Sequence, residues 1–358
     1  METCLIESAK NEGETKSMPI ALTGQPEVVR DVRMSTPTTK TASINSSYLF
    51  YSNNPEYVSL SDCADCKCFL YRDTVTGAGQ VYTWHNNNTG KALTTAVLIY
   101  NYNAFAVTVT ASNYGLSNNV SNDAAAWKSY FDGNNISISV PAGGYNNLFK
   151  RTVSNGNNWG VVSRLSIKNS GTGAAAGATL FDLSYVDSSF AGNATTFAAA
   201  VSDNELKRGK GSGYYTNLYC TLPITTTTGD GVRVNFGAKS NSSFSGNECV
   251  TLVDVSGASS GQLLGAFGQQ MNIVVTINNQ TGAARKFRIY LGCNAGGNPS
   301  PVYSYGGTNV SCGSTASGKY RDIIESDSIA CNGSATINFF SVLPGGTNTP
   351  YSFGVRPI

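Results

Sequence analysis

The most regular feature of this chain is an alternation of apolar and polar residues with a period of two. It recurs in five stretches, at residues 105–111, 136–140, 218–224, 271–277 and 287–293. Successive side chains of a β-strand point to opposite faces of a sheet, so this alternation predicts strands with one face in the core. In the first stretch, Phe105, Val107, Val109 and Ala111 are predicted to point inward.

Turn residues separate these stretches. Clusters of Gly, Asn and Pro recur at short intervals, which is typical of antiparallel sandwiches. Only residues 123–131 and 194–207 have the composition of short helices. The predicted fold class is all-β, with two tandem Ig-like or jelly-roll antiparallel β-sandwiches behind an extended N-terminal arm.

A weak internal repeat favours two sandwiches. The segments "VLIYNYNAFAVTVTASNYG" and "ISISVPAGG" parallel "IVVTINNQTGAARKFRIYLGC" and "ATINFFSVLPGG". In each half, a strand ending in Asn leads to a hairpin, and a later strand ends in a turn closed by Gly143-Gly144 or Gly345-Gly346. We therefore predict an arm over residues 1–43, a first sandwich over 44–204 and a second over 205–358.

Charge distinguishes the arm from the rest of the chain. Eleven of the first 40 residues are charged, against 35 of the remaining 318. A segment of this composition cannot bury enough apolar surface to order itself. We expect a neighbouring subunit to order the arm.

Overall composition excludes several classes of function. Charged residues make up 13% of the chain and the net charge is +2, with no basic block, so we expect no nucleic-acid partner. No run of eighteen apolar residues is present, so we expect no membrane span. Glu2 and Glu7 occupy the region where a signal peptide carries positive charge. The expected location is extracellular or on a spore or cell surface, without a recognisable signal peptide.

Three of the nine cysteines, Cys63, Cys66 and Cys68, lie within six residues. Their C-x-x-C spacing suits a zinc ion, but a tetrahedral site needs a fourth ligand. Disulfides are the favoured alternative, and inert thiols are a third. Cys66 and Cys68 lie two apart on one face of an extended segment and cannot easily bond to each other. We therefore predict that this cluster forms an intersubunit cross-link with Cys4 on the arm.

The other cysteines fall into two groups. Cys249, Cys312 and Cys331 occupy turn-rich contexts and are further disulfide candidates, within a domain or between subunits. Cys220 and Cys293 fall on apolar strand faces, where a buried small hydrophobe is favoured over a disulfide.

Motifs of catalysis are incomplete. Ser259 lies in a G-x-S-x-G motif, but a nucleophile elbow needs a helix after it and a later histidine, and the only histidine is His85. The stretch at residues 313–320 resembles a phosphate-binding loop, with Tyr320 in place of the Mg²⁺-binding Ser or Thr. His85 itself is interpreted as a polar residue at the end of a strand. We expect no enzyme activity, no metal and no cofactor.

Aromatic residues leave a binding function open. Trp84, Trp127 and Trp159 all fall in the first predicted sandwich, and aromatic rings can form platforms for sugars. A surface glycan is therefore a candidate partner. Glycosylation sequons such as those at Asn87 and Asn193 are expected by chance in so Asn- and Thr-rich a chain.

Two segments resemble a known group of proteins. "FLYRDTVTGAGQVYTWHNNNTGKALTTAVLIYN" and "TLPITTTTGDGVRVNFGAK", with the later "GQLLGAFGQQMNIVVTINNQTGAARKFRIYLGCNAGG", resemble two-sandwich proteins of spore-forming bacteria that are often labelled copper amine oxidase-like. The resemblance implies a fold. The copper label does not fit, because that enzyme needs a cofactor tyrosine and three histidines. In its plan, a cysteine-bearing arm before β-sandwiches, the chain is similar to endospore appendage subunits, which are disulfide-linked fibres.

These observations favour a structural protein. We expect a subunit of an extracellular self-assembling filament or surface layer, joined to copies of itself by arm exchange and intersubunit disulfides. The first alternative is a carbohydrate-binding or adhesive surface module, and the second is a viral capsid or spike protein.

Overall fold

The described residues form four β-sheets, arranged as two sandwiches. The structure is a computed structural model. It describes residues 19–23, 28–29, 33–34, 39–62, 67–186, 208–225, 231–236, 248–253, 259–263, 265–293, 298–347 and 351–358. Over these residues the predicted all-β class is confirmed.

The first sandwich consists of a large and a small sheet. The large sheet contains β5 (Tyr48–Ser52), β6 (Tyr57–Val58), β8 (Ala78–Asn87), β10 (Val107–Val120), β11 (Asn135–Val140), β13 (Asn158–Asn169), β15 (Arg208–Ser212), β18 (Thr251–Val253) and β19 (Ser259–Gln262). Its order is β11-β10-β13-β8-β5-β15-β18-β19, with β6 also paired to β8. The small sheet contains β7 (Lys67–Thr76), β9 (Leu93–Tyr100), β12 (Tyr145–Val153) and β14 (Gly177–Tyr185), in the order β12-β9-β14-β7.

The second sandwich includes strands from both ends of the chain. One sheet contains β1 (Ile20–Ala21), β2 (Val28–Val29), β3 (Arg33–Met34), β17 (Val232–Phe236), β21 (Phe287–Gly292), β24 (Lys319–Glu325) and β26 (Tyr351–Pro357). Its order is β1-β24-β21-β26-β17-β3, with β2 also on β24. The other contains β4 (Thr39–Ile44), β16 (Tyr215–Thr225), β20 (Gln270–Gln280), β22 (Val302–Tyr305), β23 (Thr308–Ser311) and β25 (Ser334–Val342), in the order β23-β22-β25-β20-β16-β4.

Alternating apolar residues fill the core of each sandwich, as the sequence pattern predicts. Val107, Val109 and Ala111 of β10 are fully buried against the small sheet of the first sandwich. Phe105 is an exception to the prediction, since it precedes β10 and is exposed. The core of the second sandwich is formed in the same way, for example by Ile273, Val275 and Ile277 of β20. The apolar residues of an alternating stretch thus identify the face of the sheet that is buried.

One short helix lies where the two halves meet. The helix α1 (Ala124–Asp132) confirms the predicted helical segment and ends at Gly133, whose φ of 84° suits glycine. A 3₁₀ turn spans Leu60–Asp62. Tyr130 of α1 donates a hydrogen bond of 2.9 Å to Gln80, and Gln80 donates to the carbonyl of Gly268 in the second half. The second predicted helix, at residues 194–207, lies outside the described residues.

The sheets contain parallel pairs in addition to the predicted antiparallel ones. β5 and β6 run parallel to β8, β3 runs parallel to β17, and β16 runs parallel to β20 over its full length. Turn residues predict pairing only between strands that are consecutive in the chain. They do not predict pairing between strands that are distant in sequence.

Some strands pair across the boundaries of the predicted ranges. β15, β18 and β19 fall within residues 205–358, yet they extend the large sheet of the first sandwich. β1 to β3 and most of β4 fall within the predicted arm, yet they pair with the second sandwich of the same chain. Strand pairing therefore crosses the boundaries at residues 43 and 204, and the three ranges stay a prediction.

Candidate assembly site

β4 closes one edge of the second sandwich. It pairs antiparallel with β16, in a register that sets Ile44 opposite Thr216 and Thr39 opposite Thr221. Asn45 extends this pairing, because its backbone N–H donates to the carbonyl of Tyr215 at 2.9 Å. Its side-chain Oδ1 accepts from the N–H groups of Tyr214 and Tyr215, at 2.9 and 3.0 Å. Asn45 thus fixes the point at which the N-terminal strand leaves the sheet.

Two shorter segments lie along β24, on the other sheet. Ile20 and Ala21 pair antiparallel with Glu325 and Ile324. The N–H of Leu22 donates to the carbonyl of Ile323 at 2.8 Å, and the Tyr303 hydroxyl donates to the carbonyl of Leu22. β2 pairs with the same strand further along. The side chain of Ile20 is 55% exposed, so this contact depends more on the backbone than on burial.

The opposite edge of that sheet carries β3. It runs parallel to β17, with Arg33 beside Val232 and Met34 beside Arg233. Among the described strands of the second sandwich, β1 to β4 occupy three of the four lateral edges. The fourth edge is β23, which lies beside α1, and there Asn309 donates a hydrogen bond of 2.9 Å to Asp132.

Backbone pairing of this kind is suited to exchange. A net contribution of about 0.5–1.5 kcal/mol per hydrogen bond is modest for segments of two to six residues. It depends on the exposed N–H and C=O groups of the edge and little on side-chain identity. A second copy of the chain offers identical edges. The N-terminal strands can therefore pair with them by the same contacts that they make in their own chain.

The predicted cross-link is only partly placed by the structure. Cys4, Cys63 and Cys66 lie outside the described residues. Cys68 lies in β7, where its backbone pairs with Ser184 of β14. β7 is an edge strand of the small sheet. The disulfide between Cys4 and this cluster stays a prediction.

Two of the three downstream disulfide candidates, Cys249 and Cys312, carry thiols that stay protonated near neutral pH. Burial raises the pKa of the Cys249 thiol to about 11, with Glu248 adding to the effect, and burial raises the pKa of Cys312 to about 12. Because the thiolate is the reactive species, both thiols are inert near neutral pH. Cys331 is half-buried in the turn after Ile329. No disulfide joins two of the described cysteines.

Cys220 and Cys293 are buried, in agreement with their interpretation as small hydrophobes. Cys220 is part of the core of the second sandwich. Cys293 directly follows β21 and is fully buried.

His85 is buried inside a strand, whereas the sequence suggests a polar residue at a strand end. It is fully buried in β8. Its Nε2 lies 2.8 Å from Oδ2 of Asp182 in the facing sheet and 3.3 Å from Oγ of Ser52. Its Nδ1 lies 2.7 Å from the carbonyl of Pro55. The serine and the carboxylate share one ring nitrogen, so this group lacks the relay order of a Ser-His-Asp triad. We interpret it as a polar tie between the two sheets.

The three tryptophans do not form a sugar platform. Trp84, Trp127 and Trp159 are at most 3% exposed. Trp127 packs edge-on against Tyr130, with ring centroids 5.1 Å apart, at the junction of the two halves. All three side chains are packed in the protein core.

The sequon at Asn87 is equally inaccessible. Asn87 is fully buried, and its amide donates to the carbonyls of Lys91 and Val153 at 2.8 and 3.0 Å. A glycan cannot be attached there in the folded chain. Asn193 lies outside the described residues.

The motif at Ser259 does not form a hydrolase elbow. Ser259 begins β19, which pairs with β18 in a sheet, whereas the elbow turns from a strand into a helix. In the stretch that resembles a phosphate-binding loop, Tyr320 belongs to β24 and is fully buried. No helix follows it there, so the N-terminal anion site of such a loop is missing.

Among the described residues, no three or more His, Cys, Asp or Glu side chains are grouped so that they could hold a metal ion. In the same part of the chain, no helix has the length and apolarity needed to cross a membrane.

Comparisons with known proteins give no family. No family model and no curated protein matches the chain. Solved structures with partial similarity include a xanthan lyase from Paenibacillus, with 9% identity and a TM-score of 0.17 over 79% of this chain and 23% of the lyase. A mutant oxalate decarboxylase from Bacillus subtilis has 10% identity and a TM-score of 0.13, over 96% of this chain and 78% of that one. Mannose 6-phosphate isomerase from Bacillus subtilis has 9% identity and a TM-score of 0.12, over 80% and 76%.

This chain thus spans less than a quarter of the xanthan lyase. TM-scores and identities this low transfer neither a fold nor a function to this chain.

Proposed function

We propose that the chain is the structural subunit of an extracellular, self-assembling filament or surface layer. Copies are joined by exchange of the N-terminal strands, which add to sheet edges of a neighbouring copy. Disulfides between Cys4 and the cluster of Cys63, Cys66 and Cys68 make the joint covalent.

The observation that carries the proposal is the position of β1 to β4. These four strands come from a charged N-terminal segment, and each one lies at the edge of a sheet. Edge strands are held by pairing on one side only, so they separate from the sheet without opening its core. Domain swapping replaces the pairing within a chain by the same pairing between chains.

A second observation concerns β11, at the end of the large sheet. β11 pairs with β10, and no described strand lies on its other side. Its sequence, Asn135–Val140, contains no charged residue. Proteins that resist edge-to-edge association usually place charges or proline on such a strand. This edge is therefore also able to accept a strand from another copy.

Competition by a peptide tests the exchange. A synthetic peptide of residues 19–45, added in excess to the full-length chain, should occupy the edges that β1 to β4 use. We expect the untreated chain to form polymers in electron micrographs and the peptide to stop their growth. The matched control is the same peptide with Ala42→Pro and Ser43→Pro. Proline lacks the N–H group that a strand donates to its neighbour. Alternate residues donate to the same neighbour, so one of two adjacent prolines removes a hydrogen bond to β16.

Two results would contradict the proposal. One is a full-length chain that remains monomeric at every concentration under oxidising conditions. The other is polymer growth that responds equally to the peptide and to its proline variant.

A further inference from the structure

A polar surface lies on the outer side of one sheet of the second sandwich. It is formed by the side chains of β16, β20 and β25 that point away from the core, and we call it the neutral face. Its accessible members are Asn217, Tyr219, Thr221, Pro223, Val274, Thr276, Asn278, Ser334, Thr336 and Asn338. At one end the face is covered, because Asn272 is buried and Phe340 stacks on Phe131 of α1 with ring centroids 6.5 Å apart. None of the ten accessible side chains is charged at neutral pH.

The neutral face is ordered in rows across the strands. Thr221, Thr276 and Thr336 lie directly opposite one another, and the next row contains Tyr219, Val274 and Asn338. Neighbouring strands are about 4.7–4.9 Å apart, so the polar groups repeat at short, regular intervals.

Hydrogen bonds within the rows fix some of these groups. The hydroxyl oxygens of Thr276 and Thr336 are 2.8 Å apart, and Asn272 donates to Oδ1 of Asn217 at 2.8 Å. A hydroxyl and an amide each offer both a donor and an acceptor. The face therefore presents a mixture of both, in fixed positions.

Tyr219 adds an aromatic surface to this array. Its side chain is 45% exposed. It belongs to the row adjoining the threonines. An exposed tyrosine ring offers a flat apolar surface with a polar tip. The C–H face of a pyranose ring packs on such a surface, while its hydroxyls contact neighbouring polar groups.

The absence of charge restricts the kind of partner. Nucleic acids, acidic polysaccharides and anionic membranes are bound through Lys and Arg, and the neutral face has neither. A second copy of the chain fits poorly, because the centre of a protein interface is mainly apolar. Burying the hydroxyls and amides of two such faces against each other would leave many of them without partners. A neutral polysaccharide carries both donors and acceptors.

We propose that the neutral face binds a neutral polysaccharide, with Tyr219 stacking on a sugar ring and Thr276, Thr336 and Asn338 contacting its hydroxyls. This function does not depend on assembly, and the same sheet could anchor either a monomer or a filament to a surface. Its site differs from the tryptophan platform that the sequence suggests.

Depletion assays with insoluble polysaccharides test the proposal. Monomeric full-length chain is mixed with microcrystalline cellulose or chitin and sedimented, and a tube without polysaccharide corrects for self-association. We expect saturable depletion by at least one of the two. Depletion should persist in about 1 M salt, which screens ionic contacts. Tyr219→Ala should weaken binding about tenfold, the loss of about 1.4 kcal/mol.

The matched control is Tyr102→Ala. Tyr102 lies in the first sandwich half and is 48% exposed, close to the value for Tyr219, so the two variants remove similar surface. Tyr102→Ala should bind as the parent does. Thr336→Lys, at an exposed position of the face, should weaken binding without lowering the melting temperature.

Several outcomes would overturn the proposal. They are no depletion by either polysaccharide, equal depletion of Tyr219→Ala and the parent, and binding that is lost in high salt. Reversible self-association that Thr336→Lys abolishes, without depletion by polysaccharide, would show that a second copy occupies the face.

Discussion

Two asparagines show how single residues determine the corners of both sandwiches. Asn101 and Asn279 are fully buried at the ends of β9 and β20. Each side-chain amide donates to three backbone carbonyls: those of Phe105, Val140 and Pro141 for Asn101, and those of Ala283, Ile329 and Ala330 for Asn279. The Oδ1 of each accepts the N–H two residues later, from Asn103 and Thr281. The same corner is therefore built twice.

The sequence repeat identifies these asparagines but mispairs one of their turns. It aligns the turn closed by Gly143-Gly144 with the one closed by Gly345-Gly346. In the structure, the counterpart is the turn in which Gly333 donates to Ala330 at 2.9 Å, as Gly144 donates to Pro141 at 3.0 Å. The turn at Gly144 contains proline and its true counterpart at Gly333 does not. The sequence comparison therefore matched it to the other proline-containing turn, at Gly345-Gly346. The hydrogen bonds of the asparagine reveal the correct one.

Asp123 gives the clearest pH dependence at the scale of a residue. It is buried between the halves and accepts a hydrogen bond of 2.9 Å from Tyr82, whereas its Oδ1 has no partner. Burial raises the pKa of its carboxyl from 3.8 to about 8, although the bonds from Tyr82 and the Gly345 backbone oppose the shift. The folded chain therefore keeps a proton that the unfolded chain releases above about pH 4. Stability from this group is complete below that pH and declines as the pH rises towards 8.

Asp123→Asn should remove this decline. Asparagine has nearly the same shape, can accept the hydroxyl of Tyr82 and carries no charge at any pH. We expect the variant to gain stability over the parent by about 1.4 kcal/mol for each pH unit between about 4 and 8. Thermal unfolding of both proteins across this range measures the gain. Asp132→Asn is the control, since Asp132 is exposed at the other end of α1. A gain for Asp123→Asn that is independent of pH would contradict the assignment.

At the scale of the element, periodicity predicts the strands well and their partners poorly. The five alternating stretches correspond to β10, β11, β16, β20 and β21. The parallel pair β16 and β20 is absent from the prediction, because residues 226–269 separate the two strands and no single turn joins them. The sequence misses the buried contact of His85 with Asp182 for the same reason. The two residues are 97 positions apart, and only the packing of two sheets brings them together.

The docking of α1 depends on a close backbone approach. Gly115 of β10 lies beneath the helix, and a Cβ atom added there would be 1.7 Å from the carbonyl oxygen of Ala126. The obstacle is backbone, so a rotamer change cannot relieve it. α1 carries Tyr130 and Trp127 into the junction, and displacing it would disturb the contacts of both halves.

Gly115→Ala should therefore lower the stability of the whole chain. Overpacking of this kind costs about 1–3 kcal/mol, and the loss of helix contacts adds to it. The free energy of unfolding in denaturant measures the effect. Gly171→Ala is a suitable control, because the nearest atom to its added Cβ is the side-chain Oδ1 of Asn169 at 3.4 Å. Equal stability of the two variants would show that α1 can shift at little cost.

At the scale of the whole molecule, some strands pair across the predicted boundaries, which the sequence pattern does not show. Composition indicates a separate arm because it counts charges, but it cannot show which edges that arm reaches. β4 on β16 and β15 on β5 follow from edge geometry, which no local pattern encodes. The N-terminal segment and the segment at residues 208–212 each tie distant parts of the chain together. The second sandwich is therefore incomplete without the N-terminal strands.

In the proposed filament, the disulfide would hold the N-terminal strands on their neighbour where backbone hydrogen bonds alone would not. Strands held by backbone hydrogen bonds separate in strong denaturant, whereas a disulfide persists until it is reduced. Non-reducing denaturing gels of the assembled protein should show ladders that collapse with thiol to the 37.7 kDa monomer. Cys4→Ser should abolish the ladders and leave the fold intact, because all the described strands remain. Cys312→Ser is the matched control, since burial raises the pKa of that thiol to about 12 and keeps it protonated. Ladders that persist in Cys4→Ser would place the bond elsewhere, and ladders lost only in Cys312→Ser would contradict the link to the N-terminal segment.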